Sequence, residues 1–491
     1  MRMTVPFGNW VPDQAADKSP GVTAAQDVVP AGRGYIPLRA LSVVSTAGLT
    51  TTVLGTLFAR SSGNADFLYA GTASKLWEAA SSATPTYSDE SKAGGYTTAS
   101  GERWEFANFD RNYKVIATNY TDPVQSITTG GGGAGAFADM ITSTNKPKAR
   151  HIAIIGQFVV LGNTNDTTDG VRVNRVWWSA FGDQTNFDPD AATQCDYEDL
   201  STGGPIERIV SGTEYGLIFQ RDMVRVMRYV GGSQIFSFEP INYVPGTPYG
   251  QTVVSYAGRV FYISNAGVIM LEGVSPVPIG AQQVDRDIMN VVATSVSSMW
   301  TATAAIDPLQ KLVAFGLPVG SNSTPQHVWV YKWDTGQWAW WKNQLIDILC
   351  YVDPATWYLG FGAFDTSTHK LAVYSGAAKT GTITTSDIQP VVGQRWQLNT
   401  VRPLLELYPS DANATPNITV SAAGRRSLWN RVSYGANLGM ASSLSPDGLC
   451  NFRVSGHYQR LQTSLSVSWF ANVQPPHITG LELDFELEGE R

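Results

Sequence analysis

Few residues in this chain have the types and spacing that chemistry needs. The glycine run TTGGGGAGAFADM (Thr128–Met140) invites a phosphate-loop reading. A phosphate loop continues into Gly-Lys-Ser/Thr, or opens a βαβ unit with an acid about twenty residues on, and Gly131-Gly132-Gly133-Ala134-Gly135 has neither context. A flexible loop is expected there. NTNDTTDG (Asn163–Gly170) is oxygen-rich, as calcium loops are. Counted as a twelve-residue loop from Asn165, it puts Val176 where a bidentate Glu belongs, so a turn between strands is expected. The five histidines (His151, His327, His369, His457, His477) are dispersed, with no zincin motif and no nucleophile elbow. Carboxylate pairs such as Glu198/Asp199 and Asp285/Asp287 are what 41 acids produce by chance. Cys195, Cys350 and Cys450 lie far apart without a CxxC, which predicts three separate thiols. The Asn-x-Ser/Thr triplets at Asn119, Asn165, Asn322, Asn413 and Asn417 carry no weight without a secretory signal. The expectation is a protein with no catalytic residues, no metal site and no cofactor.

Two stretches hold more. KWDTGQWAWW (Lys332–Trp341) resembles the Asp-box of sialidase-type propellers, with the Trp one position early. Asp334-Thr335-Gly336 also suits a hairpin tip, and the Trp cluster is expected to pack between sheets rather than stack on sugars. In the last stretch, GLELDFELEGER, the acids Glu482, Asp484, Glu486 and Glu488 share one face of a strand, with Glu490 beyond. A solvated face that discourages edge pairing is one reading. The sharper reading is a negative wall facing a channel, along which a phosphate polyanion slides without adhering.

The elements that must position these residues are strands. Charged residues make up 15% of the 491, against 47 Gly, 26 Pro and 11% aromatics, and the net charge is −7. That balance disfavours surface helices and tight nucleic-acid binding. No run approaches the roughly 18 apolar residues of a membrane helix, and the N-terminus has no apolar signal region. Hairpins recur. Arg259–Ile263 and Val268–Leu271 flank Ser264–Gly267, and the pattern repeats at 67–78, 104–128, 158–179, 216–229, 303–341 and 348–375. The runs are apolar on successive residues, as strands buried on both faces are. Units of roughly 40–60 residues fit the four-stranded blades of a β-propeller. About seven are expected, within a range of six to eight, with an array of two-sheet sandwiches as the rival. Val284–Trp300 is the best helix candidate. From about Gln394 the pattern turns to period-two alternation (Leu465, Val467, Trp469; Leu481, Leu483, Phe485, Leu487), one face buried and one wet. The predicted organisation is all-β: an N-terminal arm over 1–40, a propeller over 41–393, and a separate C-terminal β-sandwich-like body over 394–491. The arm is expected to pack with that body as a docking platform.

With the strands in place, the chain resembles the packaged-DNA stabilization and tail-nozzle β-propeller proteins of short-tailed phages, the tail tubular protein B-like family. The resemblance rests on GNWVPDQ…DVVPAGRGYIPL (Gly8–Leu38), KVIATNYTDPVQSI, VWWSAFGDQTNFDP, GPIERIVSGTEYGLIFQRDMVRVMRYVGGSQIFSFEPI, the 259–271 hairpin with Pro278-Ile279-Gly280, and IDPLQKLVAFGLP leading to VWVYKWDTGQWAWW. It implies a non-enzymatic virion protein assembled in the host bacterial cytoplasm. Its partners would be further copies of itself, commonly six in a ring, together with portal or adaptor proteins and tail fibre or needle proteins. Genomic DNA would be retained, then passed through the ring at ejection without specific binding. A carbohydrate-binding, receptor-recognising propeller is the alternative from another class, and a sialidase-like glycosidase the third.

Overall fold

The computed structural model describes residues 1–17, 19, 21–110, 113–131, 136–232, 234–322, 324–352, 359–406, 417–425, 432, 439–445, 447–466 and 477–488. In it, strands Arg259–Ser264 and Gly267–Glu272 pair from Arg259 opposite Glu272 to Ser264 opposite Gly267. Their side chains alternate between two sets of neighbours. Val260, Tyr262, Ile269 and Leu271 pack with Leu217, Phe219, Val224 and Val226 of the preceding sheet. Phe261, Ile263, Val268 and Met270 share a core with Phe315, Trp329 and Tyr331 of the following one. Successive apolar residues are required because each face of the hairpin meets a different sheet. Burying one such Val, Ile or Phe contributes about 1.5–3 kcal/mol, so the seams between sheets carry the fold.

The protein is all-β, built on a β-propeller of which the described residues form seven blades. Five four-stranded sheets follow one another over 55–89, 105–139, 148–199, 206–245 and 254–278. The sixth blade is Thr303–Asp307, Leu312–Pro318, Pro325–Lys332 and Gln337–Trp341. Blade 7 takes Ile346–Tyr351, Phe361–Asp365 and Leu371–Val373 from late in the chain, and its outer strand, Ser42–Val43, from the N-terminal segment. The first strand of each blade lies innermost. These strands touch in order from Gly55–Arg60 round to Ile346–Tyr351 and back to Gly55–Arg60, except between blades 4 and 5, where the turn Gly250–Thr252 meets the inner strands of blades 4 and 6. The helix expected over Val284–Trp300 is an α-helix at Asp285–Thr294 followed by a 3-10 stretch at Val296–Thr301. Among the described residues no helix is long and apolar enough to cross a membrane.

Beyond the ring lies a two-layer β body. One layer contains Val28–Ala31, Gly34–Pro37, Arg395–Glu406, Cys450–Gly456 and the long strand His477–Glu488, on which Arg2–Pro6 also pairs. The other contains Gly381–Thr385, Tyr458–Ser466, Asn417–Arg425 and Gly439–Ser443. Trp396, Leu398, Leu481 and Leu483 of the first layer share a core with Ile418, Val420, Leu461 and Leu465 of the second. Alternation along the last strand holds, with Leu481, Leu483 and Phe485 buried; Val467 and Trp469 lie outside the described residues. This body is not detached from the propeller. Strand Val22–Gln26 pairs parallel to blade 6 at Trp340 and antiparallel to Gly381–Thr385, making one nine-stranded sheet. A blade's outer edge has unpaired N–H and C=O groups, and the N-terminal strand satisfies both edges at once.

The same N-terminal segment caps the helix. Asp13 accepts hydrogen bonds from Arg286 N at 2.8 Å and Asp287 N at 3.2 Å, so a side chain from another part of the chain fills the place of an N-cap. Asp285 and Asp287 stand beside it, and burial together with Asp13 raises both carboxyls above their ordinary value. Asp13→Ala is expected to cost about 0.5–2 kcal/mol in a denaturant titration. Asp13→Asn, which still accepts and removes the like charge, should cost less. Equal losses in the two variants would refute the capping role.

Candidate functional site: the axial mouth of the propeller

The segment Gly101–Trp104 enters blade 2 at the end of the ring where the innermost strands begin. Arg103 there is 6% exposed and reaches past blade 1 to the far side. Its Nη1 donates to Ala302 O at 2.8 Å and Thr301 O at 3.4 Å, and its Nη2 to Asp347 O at 3.4 Å. Those carbonyls belong to the starts of the inner strands of blades 6 and 7. Among the described residues no carboxylate forms an ion pair with Arg103, and its Nε is buried without a partner. Burial lowers its pKa to about 10, with Asp347 opposing that shift and Arg208 adding to it. A guanidinium bears this desolvation because carbonyl dipoles replace part of its water shell.

Two residues on, Glu105 ties blade 2 to the other side. Its Oε1 accepts from Arg208 Nη1 at 2.6 Å and lies 2.8 Å from His151 Nδ1, and its Oε2 accepts from Ile152 N at 3.3 Å. Burial pushes this carboxyl up, but Arg208, His151 and the Ile152 N–H outweigh burial and hold it below its ordinary value. Asp347, by contrast, is raised by burial even though its Oδ2 accepts from Val53 N at 3.0 Å and sits 2.7 Å from His369 Nδ1. Through these side chains, blades 2, 3, 4, 6 and 7 and the approach to blade 1 are bound to one another around the axis. At the rim, Arg150 makes a bidentate pair with Glu102 (Nη2 to Oε1 2.7 Å, Nε to Oε2 3.1 Å) and stacks on Tyr120 at 4.4 Å. The arrangement holds and orients the strand starts.

The residues singled out in the sequence fall elsewhere. Glu482, Asp484, Glu486 and Glu488 do share the outward face of strand His477–Glu488. Three of them stand beside cations: Glu482 by Arg402 (3.6 Å) and Arg2 (3.7 Å), Asp484 by the Met1 amino group (3.4 Å), Glu488 by Arg395 (2.8 Å). Glu486 is exposed and has no ion-pair partner among the described residues. The row therefore stitches Arg2–Pro6 and Arg395–Glu406 to the strand between them, and carries less free charge than its sequence implies. Glu490 lies outside the described residues.

In the oxygen-rich loop, Asp166 Oδ1 caps its own turn at Thr168 N and Asp169 N, while Arg175 pairs with Asp169 at 2.6 Å, Asp199 at 2.7 Å and Asp166 at 3.4 Å. Its oxygens are spent on protein. Among the described residues no three His, Cys, Asp or Glu side chains are placed to hold a metal ion. Gly131 is described, whereas Gly132, Gly133, Ala134 and Gly135 lie outside the described residues. Asp334–Gly336 is a hairpin tip, with Gly336 at φ 73° and its N–H bonded to Lys332 O at 2.8 Å. Trp329, Trp338 and Trp341 are fully buried, and the latter two donate to Ile279 O (3.1 Å) and Val28 O (2.8 Å). They pack sheets together. The three cysteines are free and buried, which pushes the Cys195 and Cys350 thiols up to about 12 and that of Cys450 to about 11.

Sequence reasoning missed Arg103, Glu105 and Arg208, and placed His151 among dispersed histidines. Nothing in GERWEF marks an arginine whose partners lie some two hundred residues away. Glu105→Gln is expected to lower stability by about 1.5–3 kcal/mol at neutral pH, the scale of hydrogen bonds to a charged group. Because the folded pKa is depressed, the wild-type advantage exists above the ordinary Glu value of 4.5 and fades as pH falls through the folded pKa. Denaturation of both proteins across acid pH checks it. A gap between them that stays constant below that value would mean Glu105 is not ionised.

No protein-family model matches the chain, and no curated protein matches it. Among solved structures it is similar to U3-55K (TM-score 0.41, 10% identity, covering 69% of this chain and 96% of that one). It is also similar to a chain of the mitotic checkpoint complex (TM-score 0.38, 8% identity, covering 71% and 97%).

Proposed function

We propose that this chain is a structural virion protein of a short-tailed phage, one section of a tail ring below the portal and adaptor. Copies of it would enclose the channel that retains packaged DNA and passes it at ejection. The observation that carries the reading is the nine-stranded sheet running from blade 6 through Val22–Gln26 into the C-terminal body. It joins a disc and a platform without a flexible linker, which suits a part that must hold position in an assembly under load. The ordered sequence resemblance to tail-nozzle propellers supports the same reading.

The propeller's own bore is an unsuitable conduit, since Arg103 and the Glu105 cluster cross its mouth. The channel in this proposal lies between copies, closed by a head-to-tail interface that repeats around a ring. The outward strand face at 482–488 is the proposed wall, with Glu486 supplying its unpaired charge and the chain's net −7 limiting adhesion to phosphate. Electron microscopy of the purified chain is expected to show hollow rings; dispersed monomers at assembly concentrations would defeat the proposal. Glu486→Lys rings should form normally and slow DNA delivery in reconstituted particles. Unchanged delivery would remove Glu486 from the channel wall.

A further inference from the structure

At the end of the ring where the inner strands begin, a recess of about 200 Å³ opens beside the axis. Glu102, Arg150, Glu207, Tyr249, Gln251 and Trp300 line it, with Arg103 and His151 also on its wall. Pockets for drug-sized ligands run from about 300 to 1,000 Å³, so this one suits a single ring.

Three features distinguish it from a mere gap between blades. First, it is fixed. Arg103 is anchored to three carbonyls, and Arg150 is clamped between Glu102 and the Tyr120 ring. Second, its walls hold unused hydrogen-bonding capacity. Among the described residues the Gln251 amide, the Tyr249 hydroxyl and the Trp300 indole N–H bond to no protein group, and Glu207 uses one oxygen, Oε1, on Arg221. Third, Trp300 is 40% exposed, on the 3-10 stretch Val296–Thr301. Its indole offers an apolar face with a polar N–H at the edge, a surface on which the apolar face of a ring can lie while its polar edge stays wet.

The charges select the ligand class. Arg150 is matched by Glu102 and Arg221 by Glu207, so the rim presents donors and acceptors side by side. A phosphate would meet two carboxylates there, with Arg150 paired and both Nη groups of Arg103 turned to backbone carbonyls, whereas hydroxyl groups donate and accept at once. We propose that this recess binds one pyranose ring of a neutral glycan. Trp300 supplies the apolar platform, and Glu102, Arg150, Glu207 and Gln251 engage the hydroxyls. The inference stands independently of the tail-ring reading.

The test uses the full chain and saturation-transfer NMR with glucose, galactose, mannose, N-acetylglucosamine and inorganic phosphate as separate probes. At least one sugar is expected to saturate, with Trp300→Ala weakening it by about tenfold or more, the scale of one lost aromatic contact. Gln251→Ala should weaken it too, and both variants should melt as the wild type does, because neither side chain is buried. Should Trp300→Ala fold poorly, Gln251→Ala decides alone. Saturation by none of the four sugars overturns the proposal. So does undiminished binding by the variants, or binding of phosphate alone. Ring formation in micrographs is a separate readout, so either reading can fail while the other stands.

Discussion

A sheet with two apolar faces has no stable place except between two other sheets. Once the chain commits to such sheets, each must find a neighbour on both sides, and the arrangement that leaves none uncovered is a closed ring. The 259–272 hairpin shows the constraint most plainly, since its alternate residues belong to two different cores. Closure then has to be made somewhere. Here it is made by Ser42–Val43 pairing with Ala372–Val373, which binds an early segment to the last blade.

At the centre the problem is polar rather than apolar. The inner strands converge, and their first residues must neither collapse nor flood. Arg103 and Glu105, two residues apart and each buried, settle this by opposite means. One is a cation solvated by carbonyl dipoles, the other an anion held by Arg208 and His151. Removing either leaves partners that are expensive to bury alone. The result is a disc whose inner strands are tied together by buried polar side chains at one end.

The hairpins were legible because burial on two faces writes itself into consecutive residues, as in Gly216–Gln220 and Val224–Tyr229, and because turns need particular residues, as at Asp334–Gly336. The alternation at Leu481, Leu483 and Phe485 was legible for the matching reason. The pieces that unite the molecule were not. Ser42–Val43 and Val22–Gln26 are too short for any period to show, and their partners lie hundreds of positions away. The acids at 482–488 were visible as a row, but Arg2, Arg395 and Arg402, which answer them, come from other strands. Of the axial mouth the sequence offered single residues without a pattern. Trp300 appeared as the end of a helix rather than as an exposed ring.

The position of strand Arg2–Pro6 has a consequence for how the molecule is made. It pairs with residues 480–484, so its partner leaves the ribosome only after nearly five hundred further residues have been joined. Blades 1 to 6 draw their four strands from contiguous stretches and can form as they emerge, while the two-layer body and the last blade must wait. During that interval Val22–Gln26 and the outer edge of blade 6 are open edges in a crowded cell, where pairing with a neighbouring chain competes with pairing at home. The order of synthesis therefore makes the N-terminal strands the point at which correct closure and misassembly diverge.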